Sequence, residues 1–258
     1  MTAENDPSAS PLPQGTRTLA RGLDVLRAIA DGAQDLKTVT ETTGIGRSTA
    51  HRLIQMLELR GFVRTANGRS YTLGPQLIDY GYRALSQIPL PALARPVLER
   101  LAATAQDTVH LAVEDAGQVF YLDKISGTRG AEMRSRIGHR MPLTTTGIGK
   151  SLLLDQPERW ADQYAAEHPC SDHLSAETER FLGMMQEYVT QDSTMDLEEN
   201  EPGIRCVAAP VRDARGLTVA AISVSATQPY MPSDRMQALV PVVRQTAQAI
   251  GRELGRSA

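Results

Sequence analysis

The chain of 258 residues is poor in aromatic side chains and in cysteine, and it has no long apolar run. Phe, Trp and Tyr make up 4% of it, which argues against a stacking platform for single-stranded nucleic acid and predicts aliphatic cores. Cys170 and Cys206 form no CxxC pattern, so a reduced, cytoplasmic protein is expected rather than a disulfide framework. No window has the apolar length of a membrane span, and no membrane partner is expected.

The first residues, MTAENDPSASPLPQG, lack the apolar centre of a signal peptide. They combine acidic residues with proline and serine, a composition that cannot bury a core. We therefore expect residues 1–15 to form a disordered arm.

Charge is distributed unevenly along the chain, although the net charge is only −3. Residues 16–75 contain nine Lys and Arg against five Asp and Glu, a surplus of four positive charges. The remainder therefore carries a surplus of seven negative charges. A basic first part and an acidic second part predict two functions on one chain, the first of them nucleic-acid binding.

Apolar residues near the start of the basic part recur at helical spacing. Leu19, Leu23, Leu26 and Ile29 predict a first helix with these side chains on one face, ended by a glycine. A second, short helix over 36–43 stops at the next glycine. The two helices predict the start of a helical domain.

The segment GRSTAHRLIQMLELRGF predicts a third helix that buries Ala50, Leu53, Ile54 and Leu57. Two short strands follow around an Ala-Asn-Gly turn, which is a hairpin signal. Three helices followed by a hairpin are the order of a winged helix-turn-helix, whose recognition helix enters the major groove. We predict this domain over residues 16–75.

The polar face of the third helix and the hairpin supply the candidate DNA contacts. Small hydroxyl residues allow close approach to the DNA backbone, and Arg52 can bond guanine edges or phosphate. Arginines on the hairpin would neutralise phosphates or enter the minor groove. The candidate DNA-binding residues are Arg17, Arg47, Ser48, Thr49, His51, Arg52, Arg64 and Arg69. The alternative is a protein-interaction module with a solvated polar face.

The rest of the chain predicts antiparallel strands surrounded by helices, an α+β domain over residues 92–258. It is joined to the first domain by a linker helix over 76–91, whose last residues, Ile-Pro-Leu-Pro, interrupt the chain. Apolar strands flank a turn near residue 116 and another near residue 214, and each pair predicts a hairpin. Helices are expected at 96–105, from Gly147, from Pro157, near Ser175 and over 233–254.

The stretch TTTGIGKS, residues 144–151, ends like a phosphate-binding loop. That motif requires a glycine where Thr144 stands, an apolar strand before it and a later acidic Mg²⁺ ligand, and the sequence supplies none of the three. A nucleotide-binding enzyme using Lys150 therefore remains only an alternative. We expect this lysine at a helix surface or in a structural pair.

Two further clusters have the side chains of a metal or catalytic site. His168, Cys170 and His173 in HPCSDH have a spacing compatible with zinc, but three donors leave the tetrahedral set incomplete. The acidic run that begins at Asp196 contains possible catalytic carboxylates, but it is typical of a solvated turn, with Asp196 its one inward residue. We expect no metal, no cofactor and no catalytic site.

Three ordered segments resemble the isocitrate lyase regulator (IclR) family of bacterial transcription factors: GRSTAHRLIQMLELRGFV, IGHRMPLTTTGIGKSLL and DLEENEPGIRCVAAPVRDARGLTVAAISVSA. The resemblance runs from about Arg17 to the last helix. It implies a winged helix-turn-helix, a linker helix and an effector-binding domain related to the GAF fold. It also implies double-stranded operator DNA as a partner, and homodimers that often assemble as dimers of dimers, that is, homotetramers.

The same resemblance implies which residues surround the effector. They come from a variable apolar lid, from the helix start after the TTT run, from the acidic segment and from the last hairpin. In this sequence they are Gly130, Met133, Thr146, Gly147, Ile148, Asp196, Cys206, Ser223 and Ser225. The N–H groups of Gly147 and Ile148 could bind a carboxylate at a helix start. Ser223 and Ser225 face one side of a strand, and Cys206 is expected as a small wall residue rather than a reactive thiol.

Two departures from the family leave the identity of the ligand open, because the family often has His where Thr144 stands and Ala where Ser151 stands. Arg134, Arg136 and Arg140 favour an acidic effector, or they are surface or interface arginines. We expect a ligand-responsive regulator that senses a small organic or aromatic acid. We class it as a repressor, although the residues themselves do not separate repression from activation.

Overall fold

The computed structural model describes residues 13, 15–66, 70–87, 89–129, 133–169 and 175–256. The chain divides into two compact units, residues 1–87 and 88–258. Each unit has its own apolar core. The predicted arm over 1–15 lies almost entirely outside the described residues.

The first unit contains the predicted helices and hairpin. Its elements are α1 (Arg17–Ala30), α2 (Leu36–Thr43), α3 (Arg47–Leu59), β1 (Val63–Ala66), β2 (Ser70–Leu73) and α4 (Gln76–Ser86). Asp35 caps α2 by accepting the Thr38 N–H at 2.8 Å, and Gly44 ends it with a φ of 67°. The strands β1 and β2 pair antiparallel, so the hairpin is confirmed, while residues 67–69 lie outside the described part.

Only part of the predicted apolar face of α1 is buried. Leu19 is 66% exposed and Leu23 is 56% exposed, whereas Val25, Ala28 and Ile29 fill the core with α2 and α3. Leu26, the fourth residue of the predicted face, packs at the edge of this core. Helical spacing groups apolar residues correctly, but it does not say what covers them.

The predicted linker helix over 76–91 is two helices in the structure. The helix α4 ends at Ser86, and α5 (Pro89–Ala105) begins seven residues before the predicted start at 96. Pro89 and Pro91 do not break α5, because the first turn of a helix needs no N–H from these residues. Pro96 lies inside it.

The second unit is built on a six-stranded antiparallel sheet in the order β5-β4-β3-β8-β7-β6. Its strands are β3 (Thr108–Asp115), β4 (Gln118–Ile125), β5 (Arg140–Met141), β6 (Thr194–Leu197), β7 (Ile204–Arg212) and β8 (Thr218–Thr227). Both predicted hairpins, β3 with β4 and β7 with β8, are confirmed. Two strands have no signal in the sequence: β5 has only two residues, and β6 leads into an acidic turn.

Helices surround this sheet, which confirms the α+β class. They are α6 (Gly147–Leu153), α7 (Trp160–Glu167), α8 (Ala176–Gln191) and α9 (Ser233–Arg256). The helices α5 and α9 pack on each other, and α6 packs across the strands β6, β7 and β8. In the described part of the chain, no helix is both long and apolar enough to cross a membrane.

Candidate functional site

The helix α3 presents a polar face to solvent. Arg47, Ser48, His51 and Arg52 are exposed and Thr49 is half-buried, while the opposite face enters the core of the first unit. Gly46 begins the helix with no side-chain cap. The predicted recognition face is therefore free to contact a partner.

The remaining DNA-binding candidates lie on other elements of the first unit. Arg17 is exposed at the start of α1, and Arg64 is exposed on β1. Arg69 lies outside the described residues. The start of α3 borders a shallow recess that Lys37 and Tyr71 also line.

A cavity of about 90 Å³ lies in the second unit between α6, the sheet and the segment 133–139. Seven of the nine residues that the family resemblance implied line it: Met133, Thr146, Ile148, Asp196, Cys206, Ser223 and Ser225. Strand register explains why residues so distant in sequence meet there. Asp196 pairs with Cys206, and Cys206 pairs with Ser225, so these three residues form a row across β6, β7 and β8.

Gly147 does not line the cavity, contrary to the expectation, and Gly130 lies outside the described residues. A Cβ atom at Gly147 would stand 2.5 Å from the Cys206 sulfur and 3.1 Å from the Asp196 nitrogen. The residue therefore lets α6 lie close against β6 and β7. Its carbonyl accepts the Thr194 hydroxyl at 2.6 Å.

Several further residues line the cavity that neither the sequence pattern nor the family resemblance indicates. They are His110, Tyr121, Ser135, His139, Met141, Asn200, Glu201 and Ile204, together with Arg134, for which the sequence suggests a role only through its charge. Of these residues, only His110 has a signal in the sequence, because it is a polar residue within the apolar run 109–113 of β3. The others lie on loops or on elements whose inward side the sequence pattern leaves undefined.

His110 links the floor of the cavity to the segment 133–139. Its Nε2 lies 2.7 Å from the Ser135 hydroxyl, and its Nδ1 lies 3.4 Å from the Ser223 hydroxyl. Burial lowers the pKa of His110 to about 3, and the nearby charge of Lys124 adds to the effect. The imidazole is therefore neutral, with one donor and one acceptor nitrogen.

Burial also favours the neutral forms of two other wall residues. It raises the pKa of Asp196 to about 6, against the opposing effects of the Glu199 N–H, which donates at 2.8 Å, and of the Lys150 charge. It raises the pKa of the Cys206 thiol to about 12, and the Asp196 charge adds to this. Cys206 is consequently an unreactive thiol at neutral pH.

The helix-turn-helix model of the IclR family matches residues 18–66, and its model "Bacterial transcriptional regulator IclR C-terminal" matches residues 82–252. The chain belongs to the IclR family. Its first unit is the family's DNA-binding domain and its second unit is the family's effector-binding domain, so the protein is a transcriptional regulator. The predicted family and fold class are confirmed, and so is the function of a DNA-binding regulator with an effector-binding domain, while the class of effector stays a prediction.

Relatives of IclR type cover nearly the whole chain. The DNA-binding transcriptional repressor YiaJ of Escherichia coli is 30% identical, with 94% of this chain and 89% of the relative covered. The solved IclR structure of Thermotoga maritima is 27% identical with a TM-score of 0.74, and covers 93% and 99% of the two chains. An IclR homologue from Microbacterium hydrocarbonoxydans, solved with 4-hydroxybenzoate, has the same fold with a TM-score of 0.78 at 21% identity, and covers 93% and 100%.

The IclR assignment leaves no support for the nucleotide-binding enzyme. The Lys150 ammonium group is buried, and it contacts the Met195 carbonyl at 3.0 Å and both Glu199 oxygens at 2.6 Å. Its expected position at a helix surface is therefore wrong, and the structural pair is confirmed. No phosphate can reach an ammonium group that is enclosed in this way.

The two departures from the IclR pattern are explained by contacts outside the cavity wall. Thr144 binds the Glu167 carboxylate through its N–H at 2.9 Å and also through its hydroxyl. The Ser151 hydroxyl lies 2.7 Å from the Thr194 hydroxyl, which fastens α6 to β6. Neither residue lines the cavity.

Among the described residues, the remaining candidates for effector or metal binding do not lie in the cavity wall. Arg140 pairs with Asp115 and lies 4.9 Å above the Phe120 ring, while Arg136 is exposed. The His168 ring stacks on Tyr164, and Cys170 and His173 lie outside the described residues. Within the residues that the structure describes, no group of three or more His, Cys, Asp or Glu is arranged to hold a metal.

Proposed function

We propose that the effector of this regulator binds in the cavity of the second unit, and that it is a small organic or aromatic acid with a second polar group such as a hydroxyl. The observation that carries the proposal is the grouping of seven implied residues around one cavity. An apolar cavity with a few convergent polar groups is the usual form of a small-molecule site.

The chemistry of the wall supports an acid of this kind. Arg134 is exposed at the cavity and can neutralise a carboxylate. Ser223, Ser225 and neutral His110 offer hydrogen bonds without adding charge. A hydroxyl group on the ligand would donate to Asp196, which would otherwise repel an acid placed beside it.

The size of the cavity limits the ligand to a small molecule. About 90 Å³ is less than the roughly 150 Å³ of an apolar cavity that holds benzene, so a short hydroxy acid fits this cavity best. A hydroxybenzoate would require the side of the cavity at Arg134 to widen. The homologue solved with 4-hydroxybenzoate supplies one member of the class as a probe.

We further propose that the protein binds operator DNA as a homodimer, with dimers pairing into a homotetramer. Leu19 and Leu23 on α1, and Ile78 and Tyr80 on α4, are large apolar residues more than half exposed. Leu19 and Leu23 lie one helical turn apart on the same side of α1, so a second copy would cover both together. Two recognition helices would then read a roughly palindromic site.

The function proposed here is binding without catalysis. The protein would act in the cytoplasm, where the operator DNA is, and would repress transcription until the effector shifts the population toward a state with lower DNA affinity. Repression is supported by the name of the relative YiaJ.

Footprinting on the DNA upstream of its own gene, with and without ligand, tests the regulatory part. A protected palindrome whose protection changes with 4-hydroxybenzoate or a short hydroxy acid is the expected result. The absence of any protected palindrome with every acid tried would contradict it.

Thermal-shift measurements with the same acids test the location of the site. A stabilising acid should lose its effect in Asp196→Ala and Ser223→Ala, and keep it in Thr104→Ala, which removes an exposed hydroxyl from α5. An effect that survives both cavity substitutions would mean that the acid binds elsewhere.

A further inference from the structure

Lys150 is the largest side chain in the described residues that is completely buried. Its ammonium group is not presented to a ligand, because neither Lys150 nor its partner Glu199 lines the cavity. A buried ammonium group is costly unless it is paired and hydrogen-bonded. The contacts of this ammonium group therefore show what the residue does in the structure.

The contacts of the ammonium group join three elements. Lys150 lies on α6, one turn after Thr146, which lines the cavity. Its Nζ donates to the Met195 carbonyl on β6 at 3.0 Å and to both oxygens of Glu199 at 2.6 Å. The Tyr188 ring of α8 lies 5.9 Å away.

Glu199 belongs to the turn 198–203, which connects β6 to β7. The Glu199 N–H donates to Asp196 at 2.8 Å, and the next two residues of the turn, Asn200 and Glu201, line the cavity. The other end of the turn is held by Glu198, which accepts the Gly203 N–H at 3.1 Å. The ion pair therefore ties the cavity side of the turn to α6.

We propose that Lys150 is a positioning residue, which fastens the turn 198–203 across the effector cavity through Glu199 and so holds Asp196, Asn200 and Glu201 in place. The role of these three residues in effector binding rests on the proposed function. The fastening itself does not, because it is a property of the protein without any ligand.

The structure offers a direct reporter of the turn. Cys206 is 6% exposed in the cavity wall, opposite Asp196 in the β6–β7 pair, so its alkylation is slow while the turn is in place and becomes faster when the turn moves away. The chain has one other cysteine, Cys170, which Cys170→Ser removes. The rate of alkylation of Cys206 by iodoacetamide in that background then measures local opening.

Lys150→Met leaves Glu199 without its buried partner, so we expect alkylation of Cys206 to be at least about tenfold faster. Glu199→Gln keeps the shape of the side chain, removes its charge and should have an effect of similar size. In the double variant, Cys206 should be alkylated no faster than in the more reactive of the two single variants, because the two substitutions break the same contact. Glu99→Gln, which breaks an exposed pair with Arg95 in the same unit, is the matched control and should leave the rate unchanged.

Hydrogen exchange measured by mass spectrometry separates local opening from general destabilisation. In Glu199→Gln we expect faster exchange in residues 197–203 and unchanged exchange in β3 and β8. Unchanged alkylation in both single variants would overturn the proposal, and so would faster exchange spread over the whole second unit. If Lys150→Met does not fold, Glu199→Gln decides the matter alone. All readouts are made without ligand, so a failure here is distinguishable from a wrongly placed effector site.

Discussion

At the scale of single residues, the cavity favours hydrogen bonding over fixed charge. Burial keeps His110 and Cys206 neutral at physiological pH and moves the titration of Asp196 close to that range. The fixed positive charge belongs to Arg134, which is exposed at the cavity. An acid would therefore be held at one end by charge and recognised along its length by directional hydrogen bonds.

Asp196 makes the stability of the second unit dependent on pH. In the folded protein its pKa is about 6, above the ordinary value of 3.8. The protonated carboxyl group therefore contributes its full share to the free energy of unfolding below pH 3.8, and this share is lost as pH rises through about 6. Asp196→Asn removes this titration. The variant should gain up to roughly 3 kcal/mol over the wild type between about pH 4 and pH 7.

Urea unfolding of both proteins across that range measures the difference. A constant difference at every pH would show that Asp196 titrates normally. Glu99→Gln, at an exposed position of α5, serves as the carboxylate-to-amide control and should not reproduce the trend.

Gly147 is required by close packing. Gly147→Ala would place a methyl group 2.5 Å from the Cys206 sulfur, and we expect a loss of about 1–3 kcal/mol in unfolding free energy. Cys206→Ala removes the sulfur, so the second alanine should cost less in that background than in the wild type. A double-mutant cycle by chemical denaturation checks this, and strict additivity would contradict it.

At the scale of elements, the exposed polar face of α3 leads to a prediction about operator binding. Arg52 is exposed on its polar face. Arg52→Ala should weaken operator binding by about 1–3 kcal/mol if it contacts a base, or reduce the salt dependence of binding if it contacts a phosphate. Fluorescence anisotropy at several salt concentrations distinguishes the two. Arg100→Ala, an exposed arginine on α5, should change neither.

The sequence predicted elements wherever a regular pattern coincided with a clear boundary. The helix α2 was bounded by its capping residues, and the β7–β8 hairpin by a turn between two apolar strands. The two-residue β5 has no pattern, and the covered side of α1 depends on partners that spacing does not reveal. The start of α5 could not be predicted from its prolines, because proline interrupts the interior of a helix but is favoured in its first turn.

The residues of the cavity could be predicted only in part. The family resemblance identified seven cavity residues, although their meeting depends on the register of β6, β7 and β8. The resemblance could not identify His110 or Ser135. Their contact joins the strand β3 to a loop that lies 25 residues further along the chain. Burial also decided the role of Lys150, and burial is a property of the whole fold.

At the scale of the whole molecule, the exposed apolar residues of α1 and α4 lead to a prediction about assembly. Leu23→Glu introduces a charge where a second copy is proposed to pack, so we expect a shift toward monomer in sedimentation velocity and weaker operator binding. Leu59→Glu makes the same change at an exposed leucine on α3. If both variants dissociate equally, or neither does, the proposed dimer face is wrong.

The central place of β8 in the sheet has a consequence for the order in which the protein is made. The strand lies between β3 and β7, yet it is the last to leave the ribosome, whereas the first unit is complete after 87 residues. A chain that ends before Thr218 leaves β3 and β7 without a common neighbour and removes Ser223 and Ser225 from the cavity. Such a chain keeps α3, the proposed DNA-reading helix, but lacks two residues of the proposed effector cavity.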